Sequence, residues 1–107
     1  MIDDTAVESA VDWLLKNAPD AGRLRGERVH CEEYRKSLKA ILASQANENA
    51  EAAKERWAYA HSEYQVHLER LRDAVTADEV NRAQRATAEL RIEVWRTQSS
   101  NNRAVKL

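Results

Sequence analysis

The side chains best suited to metal or acid–base chemistry are three histidines and one cysteine in 107 residues. Glu63 and His67 lie four positions apart, so a helix would present both on one face, with His61 close by. A two- or three-ligand metal site can be drawn from these residues. The simpler interpretation is a loop histidine and a partly exposed helix histidine with an ordinary acidic neighbour. His30 precedes Cys31 directly and points to a different helix face, so the two are poorly placed as base and nucleophile.

Established catalytic motifs are missing from the sequence. It contains no glycine-rich phosphate loop, no HExxH pair and no zinc-finger spacing. We therefore predict a protein that is not an enzyme, with no catalytic, cofactor-binding or metal-binding residues and no cofactor. The single cysteine, Cys31, excludes an internal disulfide and is predicted to be a small buried side chain.

Charge is unevenly distributed although the net charge is only −1. Residues 1–20 carry five acids and one lysine, whereas residues 82–107 carry six bases and two acids. In one interpretation the acidic start packs near the basic end, within one bundle or across a dimer. In the other, the basic end meets nucleic acid or an acidic protein.

The last quarter of the chain holds the candidate nucleic-acid-binding residues, because arginines beside a stacking aromatic suit single-stranded nucleic acid. These candidates are Arg82, Arg85, Arg91, Arg96 and Arg103. Glu89 and Glu93 lie among them and can form ion pairs within the helix. A salt-bridged, solvated helix face is therefore the competing interpretation.

The three tryptophans have different predicted roles. Trp57 continues a stripe of alanines and is predicted to be a core residue. Trp13 and Trp95 lie beside the centres of their apolar stripes. Because aromatic residues and arginine are enriched at binding hot spots, we predict that Trp95, Arg96 and Trp13 bind a partner. The alternative for Trp95 is that it closes one end of the bundle.

The elements that position these residues are predicted to be helices. The only proline and both glycines lie in the first quarter of the chain, and alanine, glutamate, arginine and leucine are abundant. We predict an all-α, coiled-coil-like hairpin or bundle of about four long helices. It forms a single domain over residues 1–107, with 1–4 and 100–107 frayed. The predicted helix boundaries lie at Pro19, 46–49 and 61–62, and a further break near 76–79 is left open.

Apolar spacing predicts which faces of these helices are buried. In the second helix one face is predicted to carry Leu24, Cys31, Tyr34, Leu38, Ile41 and Leu42. Of these, Cys31, Tyr34, Leu38 and Ile41 form a coiled-coil-like seam. Small residues at every fourth position, Ala18, Gly22 and Gly26, are predicted to let the first helix fold back closely on the second. The predicted stripes of the last helix are Tyr64, Leu68, Leu71 and Val75, then Ala83, Ala86, Leu90, Val94 and Thr97.

The apolar residues are small for helices of this length. The chain has 18 alanines against 20 leucines, isoleucines and valines, and no phenylalanine. Another surface should therefore complete the core, and we predict a homo-oligomer, a dimer or higher. No apolar segment approaches the roughly 20 residues that cross a bilayer, and nothing resembles a signal peptide, which predicts a cytoplasmic protein without membrane contact.

Three segments together suggest a family. They are residues 32–40 (EEYRKSLKA), residues 58–61 (AYAH) leading into Tyr64 and His67, and residues 93–99 (EVWRTQS). As a set they resemble small helical proteins of tailed bacteriophages and prophages, commonly encoded near recombination and single-strand-binding genes. The resemblance covers about residues 5–104, and its most distinctive part is the last segment.

This resemblance implies a phage origin, the host cytoplasm as location and an accessory role in DNA metabolism. The function predicted is a non-enzymatic helical interaction protein that assists phage DNA recombination or replication by contact with a host or phage protein. The alternative is direct DNA binding by the arginine-rich last helix.

Overall fold

A computed structural model describes residues 1–106, and these residues form three helices. Helix α1 spans Asp4–Gln45, α2 spans Glu51–Ala60 and α3 spans Ser62–Lys106. The predicted all-α class is confirmed, and no strand occurs within the described residues. The predicted number of about four helices is wrong by one. Helix α3 includes most of the C-terminal segment predicted to fray, and Leu107, the end of that segment, lies outside the described residues.

The missing boundary is at Pro19, which lies inside α1. Proline lacks the amide proton that would bond to the carbonyl of Leu15, one turn earlier. Leu15 and Pro19 are both exposed, so water can satisfy that carbonyl without ending the helix. The predicted first and second helices are therefore one element.

Helix α3 is continuous across residues 76–79, where the sequence left a break open. The Thr76 hydroxyl donates a hydrogen bond to the carbonyl of Arg72 at 2.8 Å, within the helix. At its start, the amide of Glu63 donates to Nδ1 of His61 at 3.1 Å, so this histidine caps α3.

The described residues form two compact units. Unit 1 comprises Met1–Gly22 and the described residues from Glu79 onward, and unit 2 comprises Arg23–Asp78. The acidic start and the basic end of the chain thus belong to the same unit. Each unit contains part of α1 and part of α3, and unit 2 also contains α2.

In each unit the buried and half-buried residues of α1 and α3 recur in alternating steps of three and four, as in coiled coils. We call each such set a seam. The seam of unit 1 consists of Val7, Ala10, Leu14, Asn17 and Ala21 with Asn81, Arg85, Ala88, Ile92, Trp95 and Ser99. The seam of unit 2 consists of Leu24, Arg28, Cys31, Arg35, Leu38 and Leu42 with Tyr64, His67, Leu71, Ala74 and Asp78.

These seams correct the predicted stripes. Tyr34 and Ile41, predicted to be in the seam, are exposed, and Arg35 and Leu42 lie in it instead. Leu42 and Leu24 were predicted on the same face, and both are seam residues. In α3 the second predicted stripe, Ala83 to Thr97, is exposed throughout. The predictions failed because they followed apolar residues only, whereas both seams include amide, guanidinium, imidazole or carboxylate side chains.

The core of unit 2 is built around the fully buried Leu42. Leu38, Ala58 and Tyr64 complete a buried cluster, so α2 contributes an alanine to it. Trp57, predicted to be core, is instead 36% exposed, with its ring 5.0 Å from that of His61. Ala58 is the residue of α2 that points inward.

The small-residue face of α1 has no close neighbour. Ala18, Gly22 and Gly26 are exposed, and a Cβ added at either glycine would meet nothing within 4 Å. The predicted close approach of two helices here is therefore wrong. It depended on a chain reversal at Pro19, and α1 does not reverse there.

Candidate interaction surface

The histidines considered for metal binding have other partners in unit 2. His67 is buried, and its Nε2 donates to the carbonyl oxygen of Cys31 at 2.8 Å. The Tyr34 ring meets the His67 ring edge-on at 5.2 Å. The prediction of a partly exposed helix histidine is therefore wrong for His67. Among the described residues, no group of three or more histidine, cysteine or acidic side chains is arranged to hold a metal ion.

Cys31 is a buried free cysteine, as predicted. Burial raises the pKa of its thiol, and a contact of 3.6 Å from Sγ to Oε1 of Glu27 acts in the same direction. A raised pKa keeps the thiol protonated near neutral pH, and the thiolate is the nucleophilic form. Cys31 is thus a packing residue of the unit 2 seam.

A polar layer lies inside the seam of unit 1. The amides of Asn17 and Asn81 are both buried and exchange two hydrogen bonds, of 3.3 and 2.8 Å. Arg85 Nε donates a third bond to Oδ1 of Asn81 at 3.0 Å. The stripes predicted from the sequence do not include this layer. The signal that could have found it is the position of all three residues on the three-four spacing of the seam.

The unit 2 seam contains a second polar layer. Arg28 bridges Asp78 at 3.1 Å and Glu32 at 3.0 Å, and the Asp78 side chain is almost completely buried. A buried carboxylate requires such a partner, because desolvation penalises its charge. Polar layers therefore occur in both seams.

The arginines predicted to bind nucleic acid do not form one free cationic face. Arg82 pairs with Glu79 at 3.2 Å, and Arg96 pairs with Glu93 at 3.0 Å. Arg85 is half-buried against Asn81, as described above. The remaining two, Arg91 and Arg103, have no carboxylate partner in the part of the chain that the structure describes. The competing prediction, a salt-bridged helix face, is confirmed for Arg82 and Arg96.

Trp13 lines an open groove in unit 1, which we call the first groove. It has a volume of about 630 Å³. Its lining consists of Ser9, Ala10, Trp13, Val80, Ala83, Gln84, Thr87, Ala88 and Arg91. Arg91 is the one charged residue among these nine. The first groove is thus an apolar depression with a single cation.

Trp95 lines a different groove of unit 1, the second groove, of about 400 Å³. Its lining consists of Val7, Glu8, Val11, Asp12, Leu15, Ile92 and Trp95. The two charged residues of this set are both acidic. The Trp95 indole N–H donates to Oδ1 of Asp4 at 2.8 Å, which holds its ring beside α1. Arg96, predicted to act with Trp95, lines neither groove.

The outward side of α3 in unit 1 carries an apolar series, which we call the outer stripe and which shares Val80, Ala83 and Thr87 with the first groove. Its residues are Val80, Ala83, Thr87, Leu90 and Val94, again spaced by three and four. All five are exposed, Val80 to 52% and Leu90 to 63%. The outer stripe therefore has the spacing of a coiled-coil face while being open to solvent.

No helix in the described part of the chain combines the length and the apolar character needed to cross a bilayer.

Comparison of the chain with protein-family models, curated proteins and solved structures finds no match. The surface chemistry of unit 1 is thus the main guide to function.

Proposed function

We propose that this chain is a non-enzymatic helical interaction protein that docks onto other proteins through the surface of unit 1. The outer stripe carries the proposal. Apolar residues at helical spacing are normally turned towards a core, yet Val80, Leu90 and Val94 face solvent. Covering such a surface stabilises a complex by roughly 25 cal/mol for each Å² of apolar area buried.

The spacing of the outer stripe defines the kind of partner. A helix with its own apolar residues three and four positions apart can place them between those of the stripe, as in helix-in-groove recognition. Trp13 and Arg91 lie beside the stripe in the first groove and offer the residue types that dominate binding energy at interfaces. The partner surface is therefore an amphipathic helix.

The biological setting of the proposal comes from the family resemblance. We place the protein in the host cytoplasm as an accessory factor in phage DNA recombination or replication, acting by contact with a host or phage protein. What supports this role is the resemblance of residues 32–40, 58–67 and 93–99 to small phage-encoded helical proteins. The role needs no catalytic group in this chain.

Affinity capture from lysogenic or infected cells tests the proposal. Tagged wild-type protein is compared with Leu90→Glu, which puts a charge into the outer stripe without disturbing a buried residue. The matched control is Ser100→Glu, the same added charge at an exposed position of α3 outside the stripe and both grooves. Wild type and control should retain the same proteins, identified by mass spectrometry, and Leu90→Glu should lose them.

Two results would count against the proposal. Capture of nothing above background by the wild type would remove the evidence for a partner. Equal capture by Leu90→Glu would show that the stripe is not the docking surface. Circular dichroism of the three proteins checks that each remains helical.

A further inference from the structure

We propose that unit 1 binds a second copy of this chain, with the second groove of one copy set against the first groove of the next. This inference rests on the proposed function, because it names one partner of the same unit. The two grooves share no lining residue, so a single copy offers both surfaces at once. The contact is between two different faces rather than between a face and itself.

Charge complementarity between the grooves is the first argument. Arg91 is the one charged residue lining the first groove, and no carboxylate pairs with it in the described part of the chain. The second groove is lined by Glu8 and Asp12. Asp12 already pairs with Lys16 at 2.9 Å, whereas Glu8 has no ion pair among the described residues. Arg91 of one copy and Glu8 of the next are therefore a matched pair of opposite charges.

Apolar shape is the second argument. Leu15 and Val11 line the second groove, and Leu15 is 72% exposed. The first groove is wide enough to receive an aliphatic side chain, and Trp13 and Val80 supply apolar walls. Residues 13 and 15 are about 200° apart around a helix, so α1 presents one side to each groove. The exposed Leu15 side chain of one copy can thus enter the first groove of another.

Pairing of identical faces is disfavoured by the same charges. Two first grooves brought together would oppose Arg91 to its own copy, and two second grooves would bring together four acids. A contact between unlike faces leaves one first groove and one second groove free on every open assembly. It therefore continues to a closed ring or an open chain instead of stopping at a dimer.

Charge reversal and mixing test this mode of assembly. The purified variants are Glu8→Arg and Arg91→Glu, both at exposed positions, and the control is Glu89→Arg, an exposed acid of α3 that lines neither groove. Sedimentation velocity at low salt follows each protein over a wide range of concentration. Wild type and control should form species larger than a dimer as concentration rises. Each groove variant should associate about tenfold more weakly, the change that one lost ion pair at a docking surface gives.

The single variants and the mixture together identify a contact between unlike faces. A contact between like faces opposes equal charges in the wild type and in each variant alone, so charge reversal would not weaken it. In an equimolar mixture of Glu8→Arg and Arg91→Glu, every first groove has a second groove of opposite charge available, so association should return. Leu15→Ser, which keeps all charges, should also weaken assembly. A wild type that remains monomeric, or that stops at a dimer with no recovery on mixing, overturns the inference. Neither result affects the proposed function, because Leu90 lies outside both grooves and is tested by partner capture.

Discussion

Replacing the two glycines of α1 with alanine should stabilise the protein. Gly22 and Gly26 lie inside a continuous helix, where glycine is about 0.8–1 kcal/mol less favourable than alanine. Each added Cβ would point into open space, so no steric cost offsets the gain in helix propensity. For the double variant Gly22→Ala/Gly26→Ala we expect the free energy of unfolding to rise by about 1.5–2 kcal/mol.

Urea denaturation followed by far-UV circular dichroism measures this change. Proteins of this size have a denaturant slope of about 1–2 kcal/mol per molar urea, so the midpoint should move up by about 1 M. The matched control is Ala18→Gly, the reverse change one turn earlier on the same exposed face. It should lower the free energy of unfolding by about 1 kcal/mol.

A decrease in stability for the double variant would refute this reasoning. It would mean that the face containing the glycines is packed closely in solution, so that the added methyl groups collide with something. Repeating the measurement at low protein concentration would then show whether the colliding surface belongs to another copy of the chain.

Four further predictions follow from the polar layers and the surface. Asn17→Ala removes the acceptor of the buried Asn81 side-chain N–H and should lower the free energy of unfolding by about 1–3 kcal/mol in urea denaturation. Leucine at both positions should recover that loss, and a double variant less stable than the single one would contradict the argument. Arg28→Ala leaves the Asp78 carboxylate buried without its ion pair. It should lower the free energy of unfolding by about 2–3 kcal/mol in the same assay. Adding Asp78→Ala should recover part of the lost free energy of unfolding. If the losses of the two single variants simply add in the double variant, the ion pair contributes nothing. Cys31 should react slowly with iodoacetamide in the native protein and quickly in denaturant, because its raised pKa disfavours the thiolate, and mass spectrometry of timed samples would reveal any fast native reaction. Direct DNA binding, the alternative predicted function, should be weak by fluorescence anisotropy at low salt, because most of the candidate arginines are already engaged; tight binding that falls steeply with salt would favour that alternative.

Composition and local spacing were enough to predict the helical class and several local features. The break between α1 and α2, the start of α3 near Ser62 and the burial of Cys31 all follow from short-range signals. The pairing of Arg96 with Glu93 also follows from the geometry of a helix, because residues three apart are neighbours.

The remaining features depend on tertiary contacts. Pro19 is a strong local signal for a helix boundary, but water can bond to the carbonyl that it leaves unpaired, and contacts on both sides of it hold α1 as one helix. The polar seam residues were not predicted because Asn17 and Asn81 are 64 positions apart. The burial of each depends on hydrogen bonds to the other and, for Asn81, also to Arg85. The grooves likewise combine residues from opposite ends of the chain.

Trp13 and Trp95 show the same difference between what local sequence predicts and what depends on tertiary contacts. Their predicted role as partner-binding residues came from residue type and from their position beside the stripes. The structure places each of them at a groove of unit 1, but not the same groove. Sequence spacing within one helix could not show which residues of the other helix would share each groove.

The amide pair of unit 1 also restricts how the two helices can slide along each other. A slip of one heptad would move α1 by about 10 Å along its axis and keep the three-four spacing intact. It would set Asn17 opposite an alanine such as Ala88 and break both hydrogen bonds between the two buried amides. A seam rich in alanine has side chains too similar in size to select one of these registers. The hydrogen-bonded pair Asn17 and Asn81 therefore fixes the register of α1 against α3.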